Sequence, residues 1–159
     1  MEKIVNKLIE LNKTISTMES CTGGFLVSEI TNISGSSEVL KFSAVTYSNE
    51  YKIKMGVNPK TIDKYSVYSI EVAREMGKCI SDFTSSNYGI GITGKINNPD
   101  KNNMFGKDNA VFFSIYDREN NKYFDNKITV KNQSRSLCKK DIVNKIINEM
   151  YKILEINNK

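Results

Sequence analysis

With 159 residues, 39% of them hydrophobic and 26% charged, the chain suffices for one domain, residues 1–159, around a single core and needs no second. It contains no histidine, which removes the Ser-His-Asp triad, the Cys-His dyad and the usual His-based zinc sites. Its net charge of +5 favours anionic ligands, yet the cations are scattered and their longest run is Lys139-Lys140, the pattern of a solvated surface.

Cys21, Cys79 and Cys138 are odd in number and widely spaced, with no Cys-x-x-Cys pair. Reduced thiols are expected, and neither a disulfide framework nor a structural metal site. Met1 to Asn12 is charged and helix-like, without the apolar core of a signal peptide, and no run is long enough to span a bilayer. A cytoplasmic protein without membrane contact is expected.

Ile4, Val5, Leu8, Ile9 and Leu11 recur at helical spacing and predict a first helix ending near Asn12. Thr14 to Met18, rich in β-branched residues, predicts a strand that runs into the turn Glu19-Ser20-Cys21-Thr22-Gly23-Gly24, with a helix after it marked by Phe25, Leu26, Ile30 and Ile33. Gly35-Ser36-Ser37 reads as a second turn of small residues, Val39 to Tyr47 as a strand, and Asn49 as the start of another helix. Asn58-Pro59 opens a short helix, and Ser69 caps a longer one whose face is Val72, Ala73, Met76, Ile80 and Phe83. Tyr88 to Thr93 is a short apolar strand, and Gly94 to Asp108 a long irregular loop. Ala110–Tyr116 and Tyr123–Val130 form a hairpin across Asp117 to Asn121, and a helix carrying Leu137, Val143, Ile146, Ile147, Met150, Tyr151 and Leu154 ends the chain. Alternating helices and strands followed by a hairpin predict an α/β fold: a three-layer α/β/α sandwich on a mixed, mostly parallel sheet. Sites in such sheets collect at strand ends, which directs attention to the turns after Ser20, after Thr93 and around Ser37.

Ser37, Tyr47 and Lys52 fall close together in a chain that has no imidazole base. A serine nucleophile must then use a lysine whose amine is neutral, and lowering a lysine pKa by about three units costs about 4 kcal/mol, within reach of a desolvated site. Taken with Glu19 to Gly24, Gly35-Ser36-Ser37, Val45-Thr46-Tyr47-Ser48-Asn49-Glu50, Lys52, Gly56-Val57, Val67 with Ser69, and Thr93-Gly94, these residues resemble the CinA C-terminal domain family over nearly the whole chain. Members of known activity are nicotinamide mononucleotide deamidases, and the chain looks like the stand-alone form.

The resemblance implies a nicotinamide-nucleotide amidase, a carbon-nitrogen hydrolase in pyridine nucleotide salvage that converts the carboxamide to nicotinate mononucleotide and ammonia. It implies Ser37 as nucleophile, Lys52 as base and Tyr47 in support, with no cofactor and no metal. Gly35 and Ser36 would supply N–H groups to the oxyanion. Thr93 and Gly94 would lie near the substrate, a pyridine mononucleotide, and Arg135 would contact its phosphate or carboxylate. Thr22 and Gly23 either hold an anion at a helix start or let that helix pack closely on the sheet. A family-like homodimer is expected.

The chain departs from the family pattern where Thr-Gly is followed by Ile-Ala-Gly-Pro: it reads Thr93-Gly94-Lys95-Ile96-Asn97-Asn98-Pro99-Asp100. The family's Gly-Asp-Arg is here Gln133-Ser134-Arg135, and Asn109-Ala110-Val111 stands for Gly-Thr-Val. Altered specificity or reduced activity is therefore an alternative, as is a module that binds a nucleotide, nucleic acid or a recombination protein. A short-chain dehydrogenase is excluded: it places one residue fewer between Tyr and Lys than the four separating Tyr47 from Lys52, and its glycine-rich phosphate loop is missing. Ser136-Leu137-Cys138-Lys139 spells Ser-x-x-Lys by chance, without the companion motifs of penicillin-binding enzymes.

Overall fold

The strand Tyr88–Gly94 (β3) is buried along its whole length, and its alternating residues explain the layers on either side. Tyr88, Ile90 and Ile92 point into the larger apolar cluster, while Gly89 and Gly91 face the helix Ile70–Thr84 (α6). A Cβ at Gly89 would stand 2.0 Å from the Gly77 carbonyl oxygen and one at Gly91 2.1 Å from that of Ala73. These two positions admit no side chain, so α6 lies directly on the sheet.

A computed structural model of the chain describes residues 1–97 and 101–155. Its other strands are Ile15–Glu19 (β1), Leu40–Val45 (β2), Ala110–Asp117 (β4) and Lys122–Thr129 (β5), in the sheet order β2-β1-β3-β4-β5. β1 pairs in parallel with both β2 and β3, whereas β3-β4 and β4-β5 are antiparallel. One face is covered by Glu2–Glu10 (α1), Phe25–Thr31 (α2), Ser36–Val39 (α3) and Arg135–Ile153 (α7), whose buried residues join Ile15, Phe113 and Ile115 in the larger cluster. Beneath the other face Met18 meets Val57, Val67, Val72, Met76 and Ile80 around α6, with Asn49–Lys54 (α4) and Pro59–Tyr65 (α5) in the same half of the chain. The expected α/β sandwich on a mixed sheet is present.

Capping follows the expected chemistry. Ser69 accepts from the Val72 N–H at 3.3 Å to start α6, and Asn58 accepts from the Lys60 N–H at 3.0 Å to start α5, with Pro59 in its first turn. Three expectations need correction. Gly35-Ser36-Ser37 is not only a turn: Gly35 caps the single turn of α3, which starts at Ser36. Phe83 is 67% exposed, its ring beside Phe42 on the edge strand β2 instead of in the core. Leu137 is 52% exposed in the first turn of α7, where Cys138 takes the inward position.

Candidate active site

β1 is flanked by β2 on one side and β3 on the other, so the chain leaves β1 in one direction and returns across it. The crevice at the carboxyl end of β1 is therefore the switch point of the parallel part of the sheet, where side chains from separate segments converge. A cavity of about 520 Å³ opens there, lined by Ser20 and Cys21 after β1, Tyr47 to Asn49 after β2, Lys52 on α4, Val67 and Tyr68 before α6, Gly94 at the end of β3 with Lys95 and Ile96 beyond it, Asn102 and Asn103 in the following loop, and Arg135 on α7. That volume suits a ligand of mononucleotide size.

The turn that presents Ser20 is held from beneath by Glu19. This fully buried carboxylate accepts from Thr22 Oγ1 at 2.6 Å and from the backbone N–H groups of Gly24, Leu26 and Val27 at 3.1, 3.2 and 2.8 Å. With Thr17 Oγ1 at 3.4 Å, five donors converge on one buried carboxylate, which ties the end of β1 to the first turn of α2. Ser20 follows directly and faces the cavity.

Lys52 reaches the same point from α4, whose start is capped by Ser48. Only 2% of Lys52 is exposed, and its Nζ lies 3.0 Å from Ser20 Oγ and 2.8 Å from the Thr46 carbonyl oxygen. A buried amine touching a serine hydroxyl at a cavity is the pairing that proton transfer to lysine requires. The neighbouring Cys21 offers no second nucleophile: burial, opposed by the nearby Lys52 charge, pushes its thiol up to about 12.

The Ser37–Lys52 pair expected from the sequence is not formed within the chain. β2 begins at Leu40 beside Ile15 and ends at Val45 beside Glu19, so Ser37, before the strand, and Lys52, after it, lie at opposite ends of the sheet. Six strand residues separate those ends by roughly 20 Å. Ser37 is exposed, and Gly35 and Ser36 sit with it at the far edge, Gly35 facing Ile9 of α1. Ser20 takes the place beside the lysine. Its sequence signal was its position, the residue following a β-branched strand, where an open α/β sheet gathers its chemistry.

The remaining expected residues divide between wall and frame. Tyr47, Gly94 and Arg135 line the cavity. Arg135 donates through Nη1 to the Ile96 carbonyl oxygen and through Nη2 to Tyr47 Oη at 3.4 Å, which closes one wall. Thr93 is buried and donates to the Val67 carbonyl oxygen at 2.9 Å, and Thr22 is spent on Glu19. Gly23 faces Lys139 Nζ, 3.1 Å from where its Cβ would stand. The residues of the divergent run from Asn98 to Asp100 lie outside the described ones. Among the described residues no group of three or more Cys, Asp or Glu could hold a metal ion.

Comparison with known proteins agrees with this architecture. The chain is similar to a protein named putative competence-damage inducible protein from Alkaliphilus oremlandii, 52% identical over 96 residues, 59% of this chain and 23% of that protein. A protein of the same name from Clostridium kluyveri is 40% identical over 120 residues, covering 74% of this chain and 29% of that one. The chain thus spans about a quarter of the length of the curated relatives it matches. Among solved structures, a CinA superfamily protein from Klebsiella pneumoniae superposes with a TM-score of 0.87 at 20% identity, over 97% of this chain and 94% of that one. The competence/damage inducible protein CihA from Agrobacterium tumefaciens superposes with a TM-score of 0.85 at 25% identity, over 96% and 92%. The family model described as CinA C-terminal domain matches residues 1–154, and the chain belongs to that family.

Proposed function

We propose that the chain is an amidohydrolase that deamidates nicotinamide mononucleotide to nicotinate mononucleotide and ammonia, with Ser20 as nucleophile and Lys52 as its base. The observation that carries this reading is the buried Lys52 Nζ, 3.0 Å from Ser20 Oγ at the wall of a nucleotide-sized cavity. The substrate class comes from the family resemblance. With its amine neutral, Lys52 takes the hydroxyl proton as Ser20 Oγ attacks the carboxamide carbon. The tetrahedral intermediate then expels the amide nitrogen as ammonia, the proton returning from Lys52, and leaves a Ser20 ester. Water attacks the ester, Lys52 removes its proton, and Ser20 leaves as the free hydroxyl with the carboxylate product. Backbone N–H groups of the turn after Ser20 are the proposed donors to the oxyanion. Tyr47, steadied by Arg135, borders the substrate.

Ammonia release from nicotinamide mononucleotide by the purified chain tests the reading. Ser20→Ala and Lys52→Ala are each expected to lower kcat at least about a thousandfold while the circular dichroism spectrum is kept. Ser37→Ala is expected to leave kcat within about threefold of wild type, because it sits at the far end of the sheet. Loss of activity in Ser37→Ala with full activity in Ser20→Ala would overturn the assignment and require Ser37 to arrive from a second copy. No ammonia from the folded wild-type chain would sink the deamidase reading and favour a nucleotide-binding module.

A further inference from the structure

Lys95 departs from the family's Thr-Gly-Ile pattern, and this lysine is almost wholly enclosed: its side chain is 2% exposed at the cavity wall. Its direction is fixed by the backbone. The Lys95 N–H donates to the Ala110 carbonyl oxygen at 3.0 Å, and Lys95 lies two residues beyond Thr93, on the side of β3 that faces Val67 and Tyr68. Nζ stands 5.2 Å from the centre of the Tyr68 ring.

The polar contacts of this ammonium are long. Nζ is 3.4 Å from the Met104 carbonyl oxygen and 3.7 Å from Asp108 Oδ1, a carboxylate that is itself 60% exposed. An ammonium has three donors, and a buried one with no short acceptor retains much of its desolvation cost. An oxyanion in the cavity relieves that cost by supplying the short, charge-assisted bonds that Met104 and Asp108 do not. Among the described residues lining the cavity there is no carboxylate, and the one carboxylate paired with this ammonium, Asp108, is 3.7 Å away and exposed. Arg135, the expected anion contact, donates through Nη1 to the Ile96 carbonyl oxygen of the wall, with Nη2 3.4 Å from Tyr47 Oη.

We infer that Lys95 is the specificity residue that binds the phosphate monoester of the ligand, displacing the long contact to Asp108. The inference rests on the mononucleotide reading for the identity of the full ligand, whereas the phosphate contact itself requires no turnover. It makes Lys95 a determinant peculiar to chains that carry a cation at this position.

Calorimetric titration of the full chain with inorganic phosphate, nicotinamide mononucleotide and nicotinamide riboside, at constant ionic strength, tests it. Lys95→Met keeps the length and apolar stem and is expected to weaken phosphate and mononucleotide binding about tenfold or more, with the riboside unchanged. Asp108→Asn removes the competing carboxylate and is expected to tighten phosphate by about two- to threefold. Unchanged phosphate affinity in a folded Lys95→Met, or equal losses for mononucleotide and riboside, would overturn the inference, as would a wild-type chain that binds neither phosphate nor mononucleotide. If Lys95→Met does not fold, Asp108→Asn decides: tighter phosphate supports the inference, unchanged or weaker phosphate overturns it. Lys95-dependent phosphate binding without ammonia release would sink the deamidase reading alone.

Discussion

Ser20 and Cys21 are chain neighbours on the same cavity wall, yet their environments separate them chemically. Ser20 Oγ lies beside an amine, whereas the Cys21 sulfur is fully enclosed and burial raises its pKa from 9.0 to about 12. The sign of the consequence follows from proton counts. Above about pH 9 the unfolded chain loses the Cys21 proton while the folded chain keeps it, so this group's contribution is complete below pH 9 and is lost as pH rises towards 12. Urea unfolding of wild type at pH 8 and pH 10 should therefore differ through this group by about 1.4 kcal/mol in total, a difference absent in Cys21→Ala. Parallel declines in the two proteins would mean that Cys21 is not shut away from water. At this scale the sequence was legible in part: it singled out Lys52, which lies buried at the cavity, but not Ser20, the hydroxyl beside it.

At the scale of elements, the seat of α6 on β3 is the tightest contact in the fold. Gly77 of the helix and Gly89 and Gly91 of the strand let two backbones approach closer than any Cβ permits. Gly91→Ala would put a methyl 2.1 Å from the Ala73 oxygen, and backbone on both sides leaves no rotamer that relieves it. The substitution is expected to cost about 3 kcal/mol and to lower Tm by about 10 °C. A drop of less than about 2 °C in a thermal melt would show that α6 sits farther from the sheet. Helix and strand identities were largely legible because periodicity and caps are local: Ser69, Asn58 and Ser48 each start a helix where their side chains suggest. Phe83 was not, since apolar spacing places it on the core face while only the packed structure shows its ring against the edge strand.

Across the whole molecule, the net charge of +5 is spread and not massed. Surface cations on several elements pair with nearby acids: Lys7 with Glu10, Lys13 with Glu119, Lys54 with Glu50, Lys78 with Asp82 and Arg118 with Asp82. The buried lysines Lys52 and Lys95 are turned into the cavity, away from any extended surface. Duplex DNA at physiological salt is therefore expected to bind no more tightly than about 100 μM, the weak end of non-specific association, by fluorescence anisotropy. A dissociation constant below about 1 μM with a steep salt dependence would contradict this and favour the nucleic-acid module considered from the sequence. No helix among the described residues is long and apolar enough to cross a membrane.

The sequence by itself determined the alternation of elements, the α/β layering and the family, because each is written in local periodicity or in short motifs. The tertiary structure alone decided which hydroxyl meets Lys52. Ser37 is nearer to it in the chain than Ser20, but β2 runs its full length between Ser37 and Lys52, while β1 and β2, paired in parallel, end together and bring Ser20 to Nζ. Parallel pairing places residues far apart in the chain at one end of the sheet, and spacing along a sequence does not encode that.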